Sequence, residues 1–253
     1  MATYAIGDIH GCLDELKHLI QTLQEKAGLS SADRLVFVGD YIDRGPDSKG
    51  VIDYLIQLQG RYPCIFLMGN HEDMMLWYLG IRHGSKISLS DASQRAGAWL
   101  PNGGRQTLTS YGIDIIDYFN SGGVHDQLAS DLVPKFIPRN HIEFLRNLSY
   151  HYIQDSILFV HAGIGPWAVD SESATEALER STEWDLLWDR SSYGKPNDFG
   201  TLVYGHTPSK NGVRWLSRDE DQPPYSVGID VGCVFGCNPL TAVRIEDWQE
   251  FTY

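Results

Sequence analysis

The chain has 253 residues, enough to bury a full core, and 42% of them are hydrophobic, which excludes a disordered chain. Only 21% are charged, and the formal net charge is -13, which excludes a general nucleic-acid-binding face. Residues 1–6 are too short for the apolar core of a signal peptide, and no apolar run reaches membrane-spanning length. The chain is therefore expected in the cytoplasm, with no membrane or nucleic-acid partner and with Cys12, Cys64, Cys233 and Cys237 reduced.

Taken in chain order, the first third repeats one unit. Residues 3–6 read as a short apolar strand running into Gly7-Asp8-Ile9-His10-Gly11. Leu13, Leu16, Leu19, Ile20 and Leu23 then have helical spacing. Residues 34–38 form the next strand and run into Gly39-Asp40-Tyr41-Ile42-Asp43-Arg44-Gly45. Asp47 can cap the helix after it, whose apolar face is Val51, Ile52, Leu55, Ile56 and Leu58. A third strand, 65–68, runs into Gly69-Asn70-His71-Glu72, and Met74, Met75, Trp77 and Tyr78 begin a helix.

Strand, polar loop and helix, three times over, predict an α/β fold with a partly parallel sheet. In such sheets ligands bind beyond the carboxyl ends of the strands. Further strands are expected at 156–160, 201–204, 225–229 and 240–245. They carry His161-Ala162-Gly163 and Gly205-His206 at their ends, with antiparallel pairing because long helices are missing between them. Residues 82–139 break the pattern. They are rich in Gly, Ser, Asn and Pro and carry a net charge of +1 on an otherwise acidic body. No linker separates a second domain. An insertion of this kind is expected to cap an anionic substrate, with Asn102, Gly103, Gly104 and Arg105 nearest the site.

Asp8, His10, Asp40, Asn70, His161 and His206 form a mixed carboxylate, amide and imidazole set. That set suits Mn²⁺ first, then Fe or Zn²⁺, and holds too much imidazole for a Ca²⁺ or Mg²⁺ cage. Asp40, at the middle strand end, is the natural bridge between two ions. One Asp after a strand is usually a helix cap, and one His is usually structural. Five such segments in this order are not explained that way.

The five segments resemble the phosphoprotein phosphatase branch of the calcineurin-like metallophosphoesterases, over almost the whole chain apart from the insertion. The resemblance implies one domain, residues 1–253, folded as an αββα sandwich with mixed sheets and an insertion near 82–139. It implies that Asp8, His10 and Asp40 hold one metal and that Asp40, Asn70, His161 and His206 hold the other. It also implies that Asp43 orients His71, that His71 protonates the leaving oxygen, and that Arg44 and Arg190 grip the phosphoryl group. Glu72 reads as a first-turn helix residue in favourable contact with the helix dipole.

The substrate expected from these letters is a phosphorylated protein, as for a bacterial-type serine/threonine phosphatase, with broader monoesterase activity on small phosphoesters. The competing expectation is a symmetrical dinucleoside tetraphosphate hydrolase, which residues 1–16 closely resemble. That type usually has Ala at the position of Asp43 and Asp at that of Glu72, and this chain departs from it at both. A non-catalytic binding module would have lost ligands or the proton donor, and none is missing.

Overall fold

The computed structural model describes residues 1–81, 89–122, 135–219 and 222–253. Ten strands form two five-stranded sheets. The first holds β1 (Thr3–Ile6), β2 (Arg34–Phe37) and β3 (Cys64–Phe66), with β9 (Thr241–Arg244) and β10 (Gln249–Thr252), in the order β10-β9-β1-β2-β3. The second holds β4 (His151–Gln154), β5 (Ile157–Val160), β6 (Thr201–Tyr204), β7 (Arg214–Leu216) and β8 (Ser226–Gly228), in the order β4-β5-β6-β8-β7. In the first sheet β1, β2 and β3 run parallel, with Tyr4 opposite Leu35 and Val36 opposite Ile65. In the second sheet β5, β6 and β8 run parallel, with Phe159 opposite Val203 and Val203 opposite Val227. Antiparallel strands lie outside each parallel trio. The expected antiparallel pairing is present, but at the sheet margins. The loops after all six parallel strands lead to one site.

Strict alternation along the strands builds three layers of core. Ala5, Val36 and Val38 meet Phe159, Val203 and Val227 between the sheets. Tyr4, Ile6, Leu35 and Phe37 face the other way, against α1 (Leu13–Lys26) and α2 (Ser48–Gln59). Leu158, Val160, Leu202 and Tyr204 turn outward on the second sheet, against Ala174, Ala177 and Leu186. The result is helix, sheet, sheet, helix. Leu16, Leu19, Ile20 and Leu23 are the buried stripe of α1, as their spacing required. Asp47 caps α2, its Oδ1 accepting from Gly50 N at 2.7 Å.

α3 (Asn70–Tyr78) begins at Asn70 itself, several residues before the apolar stretch expected to start it. Asn70 and His71 therefore sit on a rigid first turn. The described part of the insertion contains α4 (Leu89–Trp99) and α5 (Gly104–Ser110). It is packed rather than loose: Trp99, Leu100, Leu108 and Tyr111 join the core of the first sheet's outer face. The Trp99 ring lies 4.9 Å from that of Tyr78 on α3. No helix among the described residues is long and apolar enough to cross a membrane.

Candidate metal centre

Each of the five polar segments follows a parallel strand, and in the first two and the last of them left-handed backbone turns the chain sharply into the site. Of seven non-glycine residues with positive φ among the described residues, five are site residues: His10, Asp40, Asp43, Arg44 and His206. Such conformations cost about 1–3 kcal/mol each and persist only where surrounding bonds fix them. The bonds here are visible. Asp40 O accepts from Ile9 N and His10 N at 3.1 and 2.8 Å, and Tyr41 O accepts from Gly11 N at 2.8 Å. Gly39 also has a left-handed φ of 107°, and a Cβ there would come within 2.8 Å of both the N and Cα of Gly69. A Cβ on Gly205 would collide with Asp8 Oδ1. The glycines beside the polar residues thus allow strand ends from two sheets to close on each other.

Asp40 lies at the centre. Its Oδ2 is 3.4 Å from His10 Nε2, and its Oδ1 is 3.4 Å from His161 Nε2. Each carboxylate oxygen therefore faces a different imidazole. His10 Nδ1 donates to Ile42 O, and His161 Nδ1 donates to Val38 O, each at 2.9 Å. Both Nε2 atoms are left unprotonated, as acceptors. Asn70 Oδ1 approaches His161 Nε2 at 3.0 Å and His206 Nδ1 at 2.9 Å. Around His161 Nε2, then, the acceptors Asp40 Oδ1 and Asn70 Oδ1 converge with no proton among them. His206 Nε2 is buried with no partner. Convergent acceptors of this kind fit a cation, and anchoring of the other ring nitrogen is what a metal-binding imidazole requires.

The charge states agree with this fit. Burial lowers His10 and His161 below their ordinary range, and burial together with His161 takes His206 down to about 2. All three are neutral at pH 7, as ligands must be. Burial opposes the charge on Asp40, but the imidazole setting, in which His71 keeps its proton, outweighs it and holds the carboxyl below its usual value. Among the described residues, two groups of three have ligand atoms within 4.8 Å of one another: His10, Asp40 and His71, and Asp40, His161 and His206. Asp40 belongs to both.

Asp8 is buried at the same place, with His206 N donating to its two carboxylate oxygens at 3.2 and 3.0 Å. Burial, then Asp230 and Asp40, raise its carboxyl. Asp230 was not anticipated; it is buried at the end of β8, and its Oδ1 accepts from Gly232 N at 2.9 Å. Sequence alone gave no reason to separate it from a loop Asp.

His71 differs from the other three imidazoles. Its Nδ1 meets Asp43 Oδ2 at 2.7 Å, and its ring is 4.7 Å from that of His10. Burial disfavours its charge, but Asp40 and Asp43 overcome that and raise it above its ordinary value. Asp43 is completely buried, and the insertion holds it there. Thr107 Oγ1 donates to Asp43 Oδ1 at 2.6 Å, and Trp99 Nε1 donates to Asp43 Oδ2 at 3.0 Å. Neither Thr107 nor Trp99 was singled out in the sequence. Of the four insertion residues expected nearest the site, Gly103 lies against Arg44, whose N donates to Gly103 O at 3.4 Å. Asn102 instead turns its amide to Ala98 O.

Glu72 has a larger part than helix-dipole contact. Its Oε1 accepts from Tyr41 N and Ile42 N, and its Oε2 from Asp40 N and Gly69 N, all between 2.8 and 3.2 Å. One buried carboxylate therefore ties the Asp40 turn to the start of α3. Arg44 donates to His10 Nε2 at 2.6 Å, placing a guanidinium against the first cluster. Arg190 sits beyond the second cluster, its Nε donating to Thr207 Oγ1 at 2.9 Å. Asp8, His10, Asp40, Asp43, Arg44, Asn70, His71, His161 and His206 are thus close together, and Arg190 stands exposed at the margin.

The calcineurin-like phosphoesterase family model matches residues 1–236. The chain belongs to this family of metallophosphoesterases and is a hydrolase. Among curated proteins it is similar to a bis(5'-nucleosyl)-tetraphosphatase PrpE of the asymmetrical type from Oceanobacillus iheyensis, at 29% identity over 97% of this chain and 89% of that protein. It is 28% identical to a symmetrical bis(5'-nucleosyl)-tetraphosphatase from Photorhabdus laumondii, over 100% of this chain and 96% of that one. Among solved structures, one described as a putative diadenosine tetraphosphatase superposes with a TM-score of 0.56 at 19% identity, over 100% of this chain and 92% of that one. The cold-active protein-tyrosine phosphatase of a psychrophilic Shewanella gives the same TM-score of 0.56 at 17% identity, over 99% and 80%. At these identities the structures speak for the fold alone.

Proposed function

We propose that the protein hydrolyses dinucleoside tetraphosphates with two divalent cations, Mn²⁺ foremost and Fe or Zn²⁺ as alternatives. The observation that carries the chemistry is Asp40, with Oδ2 toward the unprotonated His10 Nε2 and Oδ1 toward the unprotonated His161 Nε2. The names of the full-length relatives favour the substrate. They favour it over the phosphoprotein first expected from the motif letters.

Asp8, His10 and Asp40 would hold one cation, and Asp40, Asn70, His161 and His206 the other. Bound there, the cations supply an acidified water and positive charge against the phosphoryl oxygens. The chain's own residues do the rest. Arg44, beside His10, and Arg190, beside Thr207, bind the phosphoryl oxygens, each offering a planar fork that matches two oxygens. His71, kept charged by Asp43, gives its proton to the leaving oxygen. Glu72 and the Asp40 turn keep these groups in register through backbone bonds.

A serine/threonine phosphatase is the second reading, and the His71–Asp43 pair favours it. An alkoxide is a poorer leaving group than a phosphate, so a charged proton donor matters more for a monoester. The test is purified protein with Mn²⁺, offered diadenosine tetraphosphate and a phosphoserine peptide, with products separated by chromatography. A higher kcat/KM on the dinucleotide supports the proposal, and a higher value on the peptide replaces it with the second reading. Two ADP, or ATP plus AMP, report whether cleavage is symmetrical or asymmetrical.

A further inference from the structure

Two exposed aromatic rings flank the metal centre, each one group removed from it. Phe235 is 55% exposed and lies under the Arg44 guanidinium, at 5.4 Å from ring centre to Cζ. Arg44 in turn donates to His10. On the other arm, Trp188 packs edge-on to His206 at 6.2 Å, and Trp184, one helical turn back, stacks on Trp188 with the planes 13° apart. Trp184 is 52% exposed, and the Arg95 guanidinium lies 5.8 Å from its ring centre. One arm therefore runs Asp40, His10, Arg44, Phe235. The other runs Asp40, His206, Trp188, Trp184.

Both rings are held in place. Phe235 ends a short 3-10 turn (Cys233–Phe235) between two left-handed glycines, Gly232 and Gly236. Phe235 N and Cys237 N both donate to Gly232 O, at 3.0 and 3.2 Å, and fasten this turn. Trp184 stands on a helix, Glu183–Trp188, whose Thr182 cap accepts from Asp185 N. Arg95, which faces Trp184, is itself fixed to Asp73 of α3 at 2.6 Å. Each is a large apolar ring left half in water beside an anion-binding centre, on a fixed backbone and against a guanidinium. It suits a flat π-system brought there by a charged ligand.

We propose that Phe235 and Trp184 are stacking platforms for the two nucleobases of a dinucleoside polyphosphate, whose phosphate chain crosses the Asp40 centre between them. This rests on the dinucleotide reading above and deepens it. Stacking acts on the face that every base has, so the clamp accepts adenine and guanine alike. It also explains how an acidic chain holds a highly charged substrate. The phosphates meet the cations and the two arginines, and the bases are gripped by uncharged rings.

The test uses the full chain with Mn²⁺ and compares diadenosine tetraphosphate with β-glycerophosphate, which has no base. In Phe235→Ala and in Trp184→Ala, the ratio of kcat/KM on the dinucleotide to that on β-glycerophosphate should fall about tenfold, mainly through KM. Trp184→Phe should restore most of the ratio, which a packing defect would not allow. Calorimetric binding of a diadenosine analogue with methylene-bridged phosphates should weaken in the same two alanine variants. Wild-type turnover of the dinucleotide with an unchanged ratio in both variants overturns the inference alone. A fall in only one variant overturns the two-point clamp. Wild-type turnover of β-glycerophosphate with none of the dinucleotide overturns the substrate reading and the inference with it.

Discussion

His161 and His71 are buried to the same degree, lie either side of Asp40, and are set to opposite purposes. The difference is one atom beyond the ring. His161 Nδ1 donates to a backbone carbonyl, which is neutral, so burial wins and the ring stays unprotonated. His71 Nδ1 meets the Asp43 carboxylate, which with Asp40 outweighs burial and keeps the ring charged. A lone pair for a cation and a proton for a leaving group are thus made from the same side chain in one cavity. The partner on the far nitrogen decides which.

The largest effect should come from the residue common to both halves of that comparison. Asp40→Ala removes the carboxylate between the clusters and one of the charges that hold His71 protonated. Bound metal, measured by elemental analysis of protein equilibrated with Mn²⁺, should fall from two ions to fewer than one. Phosphoester hydrolysis should fall roughly 10³-fold or more. Two retained ions would remove Asp40 from the bridging position.

His71→Ala separates the two purposes. Turnover should drop about 10²–10⁴-fold with both ions still bound, because only the proton donor is lost. The drop should be steeper on a phosphoserine peptide than on diadenosine tetraphosphate, whose leaving phosphate needs less help. Loss of the metals in this variant would place His71 among the ligands instead.

Asp43→Asn tests the far-nitrogen rule directly. Asp43 raises His71 above its ordinary value, so the proton needed for catalysis is present at lower pH and lost as pH rises through the raised value. With Asn the charged form loses that support, and the alkaline fall of kcat/KM should move to lower pH. Thr107→Val, which deletes the donor to Asp43 Oδ1, should act in the same assay by about tenfold in kcat. An alkaline limb that stays in place in Asp43→Asn would show that His71 is not tuned by this carboxylate.

The two halves were not equally readable from sequence. The candidate ligands and His71 were legible because each is a polar residue within two positions of a glycine just beyond an apolar strand. The sheets that carry them follow from alternation: Ala5, Val36, Phe159 and Val203 inward, their neighbours outward. What holds the acid half together was not legible. Thr107 and Trp99 reach Asp43 from 64 and 56 residues away, out of a segment whose composition reads as loop. Glu72 looked like a helix-start residue because its four backbone donors come from Gly69 and the turn 30–32 residues earlier, a contact with no sequence period. The margin strands β4, β7 and β10 were also missed. They are short and partly exposed, and pairing rather than apolar content creates them.

A fifth imidazole, away from the site, limits the rule. His141 Nε2 meets Asp53 Oδ1 at 2.9 Å, and its Nδ1 meets Tyr111 Oη at 2.8 Å. A carboxylate alone should have kept it charged, yet burial lowers it. The reason is the setting of Asp53, which is 40% exposed to water and already paired with Lys49. Its attraction is screened and shared, whereas Asp43 is sealed from water behind Thr107 and Trp99. Because His141 is lowered in the folded chain, the unfolded chain binds its proton first as pH falls below about 6.5. The stability His141 contributes is complete above that pH and is lost below it, toward the lowered folded value. A His141→Gln variant should therefore lose less stability than wild type between pH 7 and pH 5 in urea unfolding. The difference can reach at most about 1.4 kcal/mol per pH unit, the slope of one proton. Parallel curves for the two proteins would mean that a half-exposed carboxylate is enough to keep a buried imidazole charged. The seal around Asp43 would then not be what sets His71 apart.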